Sequence, residues 1–183
     1  MKLEVTLTTA QGIEADDHAA KVEAESRARN AKETTPGIKK STGASHSLGY
    51  RAQMAFCVWM GIPFAPQDAR GGKPNIGSIY KVRGRQRYQG NPEPDLKVYK
   101  NDCDQLIFAH ITTEDSVTFR LEGWATGAEV KRQGRWRDFG AIGKPAFCGA
   151  IDSLHSMETL PVDTTLVKKP IQKENTGDVK KVA

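Results

Sequence analysis

Apolar and polar residues alternate over residues 2–9: Leu3, Val5 and Leu7 fall on one side, Lys2, Glu4 and Thr6 on the other. That is the period of a short half-buried strand. From Ile13 to Glu33 the chain is rich in Ala, Glu, Lys and Arg without Gly or Pro, and Asp16 and Asp17 sit early, where a helix dipole favours anions. A helix is predicted there, and because its apolar residues are mostly alanines it needs a partner surface to persist. Thr34-Thr35-Pro36-Gly37 ends it, and residues 36–48 read as a loop that leaves His46 in solvent. The densest apolar segment, 48–60, holds Tyr50, Met54, Phe56, Val58, Trp59 and Met60 and predicts a buried helix stopped by Gly61-Ile62-Pro63.

After a loop over 64–77 rich in Gly and Pro, residues 78–88 read as a strand. Three more strand signals follow at 95–100, 105–111 and 116–124. The middle one is continuously apolar and is expected to be central; the short turns between them predict an antiparallel meander. Residues 125–132 suit a short helix capped by Thr126, with Glu129, Lys131 and Arg132 in solvent. A basic loop over 133–145 contains Arg135-Trp136-Arg137. That triplet suits either stacking on a base or a partner's ring, or a Trp that covers the core. An edge strand is expected at 146–151, a turn of helix at 153–160, and a Lys-rich flexible tail beyond Pro161.

The fold class is therefore α+β: a mixed, mostly antiparallel sheet of about four or five strands packed by the 48–60 helix. The chain divides into an N-terminal strand, helix and loop at 1–45, a core at 46–160 and a tail at 161–183. Its 183 residues suit one domain with appended segments. No apolar run approaches the roughly 20 residues of a membrane helix. The start of the chain lacks the basic, apolar, small-residue order of a secretory signal. The expected setting is therefore the inside of a cell. Cys57, Cys103 and Cys148 are few and widely spaced, as structural reduced thiols would be.

Charge changes this picture at one place. Between residues 70 and 100 there are eight Lys or Arg against Glu93 and Asp95, a local charge of +6 in a chain whose total is +5. Lys81, Arg83, Arg85 and Arg87 recur at every second position, so a strand through them sets four cations on one face. Such a comb is relieved by a polyanion, by a row of carboxylates or by solvent, the last being the use that edge strands make of Lys and Arg. Read as a nucleic-acid surface, it comprises Lys81, Arg83, Arg85, Arg87 and Lys97, with Arg70 and Lys73 on the preceding loop.

The order of motifs resembles a family of small phage and prophage proteins with a restriction-endonuclease-like PD-(D/E)XK core. Its carriers are Val5-Thr6-Leu7-Thr8, the run Ala52-Gln53-Met54-Ala55-Phe56 to Trp59-Met60-Gly61, Gly71-Gly72 to Gly77, Tyr80-Lys81-Val82-Arg83, Asp95-Leu96-Lys97-Val98, and Gly123-Trp124 followed by Gly127-Ala128-Glu129-Val130-Lys131-Arg132. In active members a helical Glu, an Asp before the first core strand, and Glu-x-Lys within it bind a divalent metal and activate water. Laid on this chain those positions are Gln53, Asn75, Lys81 and Arg83: every carboxylate is gone. The resemblance thus implies the fold without the activity and without a cofactor. Asp95, Glu129 and Lys131 can also be spelled as the signature at long separation, in which case Mg²⁺-dependent cleavage would follow.

Three readings come from this. The first is an inactive nuclease-like protein that grips nucleic acid or a nucleoprotein complex, with no membrane and no small-molecule substrate. The second is a protein-directed phage factor that inhibits a host defence complex or forms a minor virion component. The third is an active Mg²⁺-dependent nuclease.

Overall fold

The computed structural model describes residues 2–30, 44–67, 72–88, 94–140, 144–166 and 179–182. The fold is α+β, with three helices among the described residues and two sheets. The larger sheet runs β2 (Tyr80–Gln86), β4 (Ile107–Thr113), β5 (Thr118–Thr126), β1 (Lys2–Thr6), with β8 (Val179–Val182) added at the β1 edge. β2 and β4 are parallel; the other pairs are antiparallel. The smaller sheet is antiparallel, in the order β3 (Leu96–Val98), β7 (Ala146–Gly149), β6 (Arg135–Arg137).

β4 is buried along its whole length, whereas β5 alternates buried and half-buried positions. The reason is that β4 has apolar cover on both faces. On one face Tyr80, Val82, Ile107, Ala109, Ile111, Phe119 and Leu121 pack with Phe56 and Met54 of α2 (Ala44–Met60). On the other, Phe108 and Ala125 meet Leu96 and Val98 of β3 and Val130 of α3 (Gly127–Gln133). Gly84 lets α2 lie against β2, since a Cβ there would stand 2.6 Å from the Ala52 Cβ.

α1 (Thr9–Asn30) begins earlier than the composition predicts, because Thr8 and Gln11 form a reciprocal cap: Gln11 N–H donates to Thr8 Oγ1 at 3.3 Å and Thr8 N–H to Gln11 Oε1 at 2.9 Å. Its partner is α2. Ala15 and Ala19 are buried, and Asp16 takes Arg51 Nε at 2.9 Å together with the Ser47 hydroxyl. His46, expected in a loop, lies in the first turn of α2.

Four further expectations change. The meander fails because β3 leaves the large sheet to pair with β7, and β2 takes its place beside β4. β7, expected at an edge, is the middle strand of its sheet. The tail is docked at its start, where the buried Tyr80 hydroxyl donates to Pro161 O and accepts Asp163 N–H at 2.8 Å. Asp163 in turn accepts Ser78 N–H at 2.6 Å, and Gly77, at φ 58°, leaves it room, since a Cβ there would come 2.5 Å from Asp163 Oδ2. Finally, Cys57 and Cys148 are buried, but Cys103 is exposed; burial pushes the Cys57 thiol up to about 12.

Candidate nucleic-acid interface

The basic comb is built as its spacing predicts and then largely neutralised from within. Register places Lys81, Arg83 and Arg85 beside Phe108, His110 and Thr112 on the face turned away from α2. Lys81 is 3% exposed and donates to Asp102 Oδ1 at 2.9 Å, while Arg83 Nη2 donates to Asp102 Oδ2 at 2.8 Å. Arg83 also lies over the Tyr99 and Phe108 rings, at 5.0 and 5.6 Å. Burial drives the Lys81 pKa down against the pull of Asp102. Burial pushes the Asp102 carboxyl up, but Arg83, the Tyr99 N–H and Lys81 together outweigh it and hold it below the ordinary range. Arg87 reaches Glu122, whose side chain is 1% exposed, at 3.5 Å, and Glu114 at 4.0 Å. Lys81, Arg83 and Arg87 therefore leave the set of cations open to a phosphate.

The cations that remain open lie where β2 passes the small sheet. Lys73 is exposed on the preceding loop, and Arg70 lies outside the described residues. Arg85 and Lys97 have no ion pair among the described residues; Lys97 instead sits 3.3 Å from the Phe139 ring centre. Its pKa is lowered by burial first, then by Arg85 and by Arg137, with Asp95 offsetting them in part. Cross-strand register puts Lys97, Cys148 and Arg135 in one row. All three residues of β6 are exposed. Arg137 meets Asp95 at 3.2 Å, and Trp136, half-exposed, leans on Phe147 with centroids 4.8 Å apart. Arg135 and Arg137 were not among the expected phosphate contacts; the signal that marks them is the triplet Arg-Trp-Arg itself.

The positions assigned to the lost metal site have other work. Asn75 Oδ1 accepts Val82 N–H at 2.8 Å and its Nδ2 donates to Val82 O at 3.1 Å. The side-chain amide thus reproduces one rung of a ladder on the outer edge of β2, a task that needs a donor and an acceptor on one planar group. A carboxylate would set oxygen against the Val82 carbonyl. Gln53 is buried on α2, on the other side of β2 from the Lys81 and Arg83 side chains, and its Oε1 has no hydrogen-bond partner among the described residues. So Lys81 and Arg83 converge on Asp102, Asn75 clips the strand between them, and no contact among the described residues brings Gln53 to the pair. An ammonium group and an engaged amide do not fit a divalent cation.

The alternative triplet divides. Asp95 and Glu129 line one cleft with Arg135, Arg137 and His155, whereas Lys131 is held elsewhere by Asp102 O and by Asp104 Oδ1 at 2.6 Å. Glu129, expected in solvent, completes the capping box of α3 with Thr126 and meets His155 Nε2 at 2.9 Å. The Thr126 N–H first, then His155, lower its pKa to about 2. Asp95 and Glu129 are thus each committed to a base, Arg137 and His155 respectively.

Comparison of the chain with protein-family models, with curated proteins and with solved structures finds no match. Among the described residues no helix is long and apolar enough to cross a membrane.

Proposed function

We propose that this protein is a nuclease-like scaffold of the phage and prophage kind, without cleavage chemistry, that binds nucleic acid where β2 and the small sheet meet. The phosphate contacts in this reading are Arg85, Lys97, Arg135 and Arg137, with Trp136 offering a half-open ring to a base. The observation that carries it is the row of cations that the small sheet builds: register aligns Lys97 with Arg135 across Cys148, Arg135 and Arg137 are both exposed on β6, and among the described residues Asp95 is paired with Arg137 alone. Like charges held that close raise one another's energy, and a phosphate removes the cost. The internal neutralisation of Lys81, Arg83 and Arg87 favours this smaller interface over the full comb.

Four contacted phosphates give a log-log salt slope of about −3 on single strands and between about −3 and −4 on duplex. Among the described residues no exposed helix or ribbon is laid out to read base edges, so the reading predicts weak sequence preference. Fluorescence anisotropy with labelled oligonucleotides over a salt series tests the reading. Binding with that slope, reduced in Arg135→Ala/Arg137→Ala, supports it; a slope near zero rejects it.

A further inference from the structure

Beside the exposed strand β6 lies a cleft of about 390 Å³, within the roughly 300–1,000 Å³ of small-molecule sites. Its lining changes character with depth. Ala125 and Val130 are buried and apolar, Glu129 and His155 stand partly exposed on one wall, and Arg135 and Arg137 are exposed at the rim. The wall is braced: His155 is stacked against Trp124 with centroids 4.4 Å apart, Trp124 N–H donates to His155 O at 2.9 Å, and Glu129 is fixed by the cap of α3.

We propose that this cleft takes the base of a nucleotide, either free or as an unstacked residue of a single strand, with the phosphate at Arg135 and Arg137. The cleft holds two carboxylates, Glu129 beside His155 and Asp95 paired with Arg137 at 3.2 Å, so the polarity, anion outward and base inward, is set by the exposed Arg135 and Arg137 and the buried apolar lining. Among the described residues three contacts occupy Glu129, from His155 Nε2, Thr126 N–H and the Thr126 hydroxyl. A carboxylate offers about four lone-pair sites, so one acceptor remains for an N–H of the base. The apolar floor covers the flat faces of the ring system, and the cations at the mouth belong to the strip assigned above to phosphates. The strand-bound form rests on the nucleic-acid reading; the free-nucleotide form stands without it.

The test titrates the full chain with adenosine and guanosine monophosphate, with ribose 5-phosphate and with inorganic phosphate, following the amide signals of residues 149–155 and the Trp124 indole by NMR. Ser153 lines the cleft, is exposed, and among the described residues its hydroxyl bonds within its own turn, to Ala150 O at 2.7 Å. Ser153→Trp therefore fills the space and leaves the cations in place. A second filling variant is Gly149→Val, where a Cβ meets the Val130 methyls at ordinary distances of 3.5 and 3.6 Å. The expected result is saturable shifts with both nucleotides, binding about tenfold weaker without the base, and loss in whichever filled variant keeps the native spectrum. Equal binding of ribose phosphate and nucleotide, or shifts that survive the filling, would overturn the proposal. Strand binding that is indifferent to an abasic substitution removes the cleft and keeps the interface, whereas nucleotide binding without strand binding removes the interface and keeps the cleft.

Discussion

The Lys81 ammonium and the Asp102 carboxylate meet at 2.9 Å with both side chains 4% exposed, and Arg83 holds the other carboxylate oxygen at 2.8 Å. One acid, on the turn between β3 and β4, therefore accounts for two of the four cations of the basic strand. The arrangement closes the space between β2 and that turn. It also makes Asp102 the residue on which the buried charge balance depends.

Removing that acid takes away the carboxylate that a buried ammonium and a half-buried guanidinium share. Asp102→Ala is expected to cost about 3–5 kcal/mol of unfolding free energy, read from urea denaturation. Lys81→Met, which leaves Arg83 on Asp102 and fills the site with apolar atoms, costs less. Similar losses in the two variants would contradict the account.

Asn75 separates a structural amide from a lost metal ligand. Asn75→Asp keeps the shape but exchanges the donor to Val82 O for a charged acceptor, and is expected to destabilise by about 2–3 kcal/mol, more than Asn75→Ala. Denaturation midpoints decide. A stabilised Asn75→Asp variant in the presence of Mg²⁺ would favour the catalytic reading instead.

Stability falls on the acid side in a definite window. Glu129 is held at about 2 against an ordinary 4.5, so its stabilisation is complete above pH 4.5 and is lost as the pH drops toward 2. Asp102 and Asp163, both lowered, lose theirs in the same direction. Glu129→Gln, which keeps an oxygen for the cap but removes the charge, should lower stability above pH 5 and change it little near pH 2, and so flatten part of this acid limb. An unchanged acid limb in the variant would show that the cap and the His155 contact do not carry the shift.

Local signals were legible and long-range pairings were not. The alternation over 116–124 and the cap at Thr126 mark β5 and the start of α3, because both depend on neighbours in sequence, whereas the return contact of Glu129 to the cap was read as solvent. Leu96-Lys97-Val98 reads correctly as a strand, yet period two says nothing about which sheet receives it. The parallel pairing of β2 with β4 brings together residues 27 positions apart, Tyr80 with Ile107. The comb was legible as a face and misleading as a surface: charge counting finds eight cations against two acids between 70 and 100, but the neutralising Asp102 and Glu122 lie beyond that window. Asp163, which ties the C-terminal segment to Ser78 and Tyr80, sits among residues whose composition marks only a tail.

The most direct measurement is the salt dependence of oligonucleotide binding by the wild type, by Lys81→Met and by Arg135→Ala/Arg137→Ala. A single-strand slope of about −3 is expected for wild type and Lys81→Met, falling to about −1.5 in the double variant as two phosphate contacts are lost. A flat response in the wild type, or a slope carried by Lys81 and untouched by the loss of Arg135 and Arg137, would contradict it.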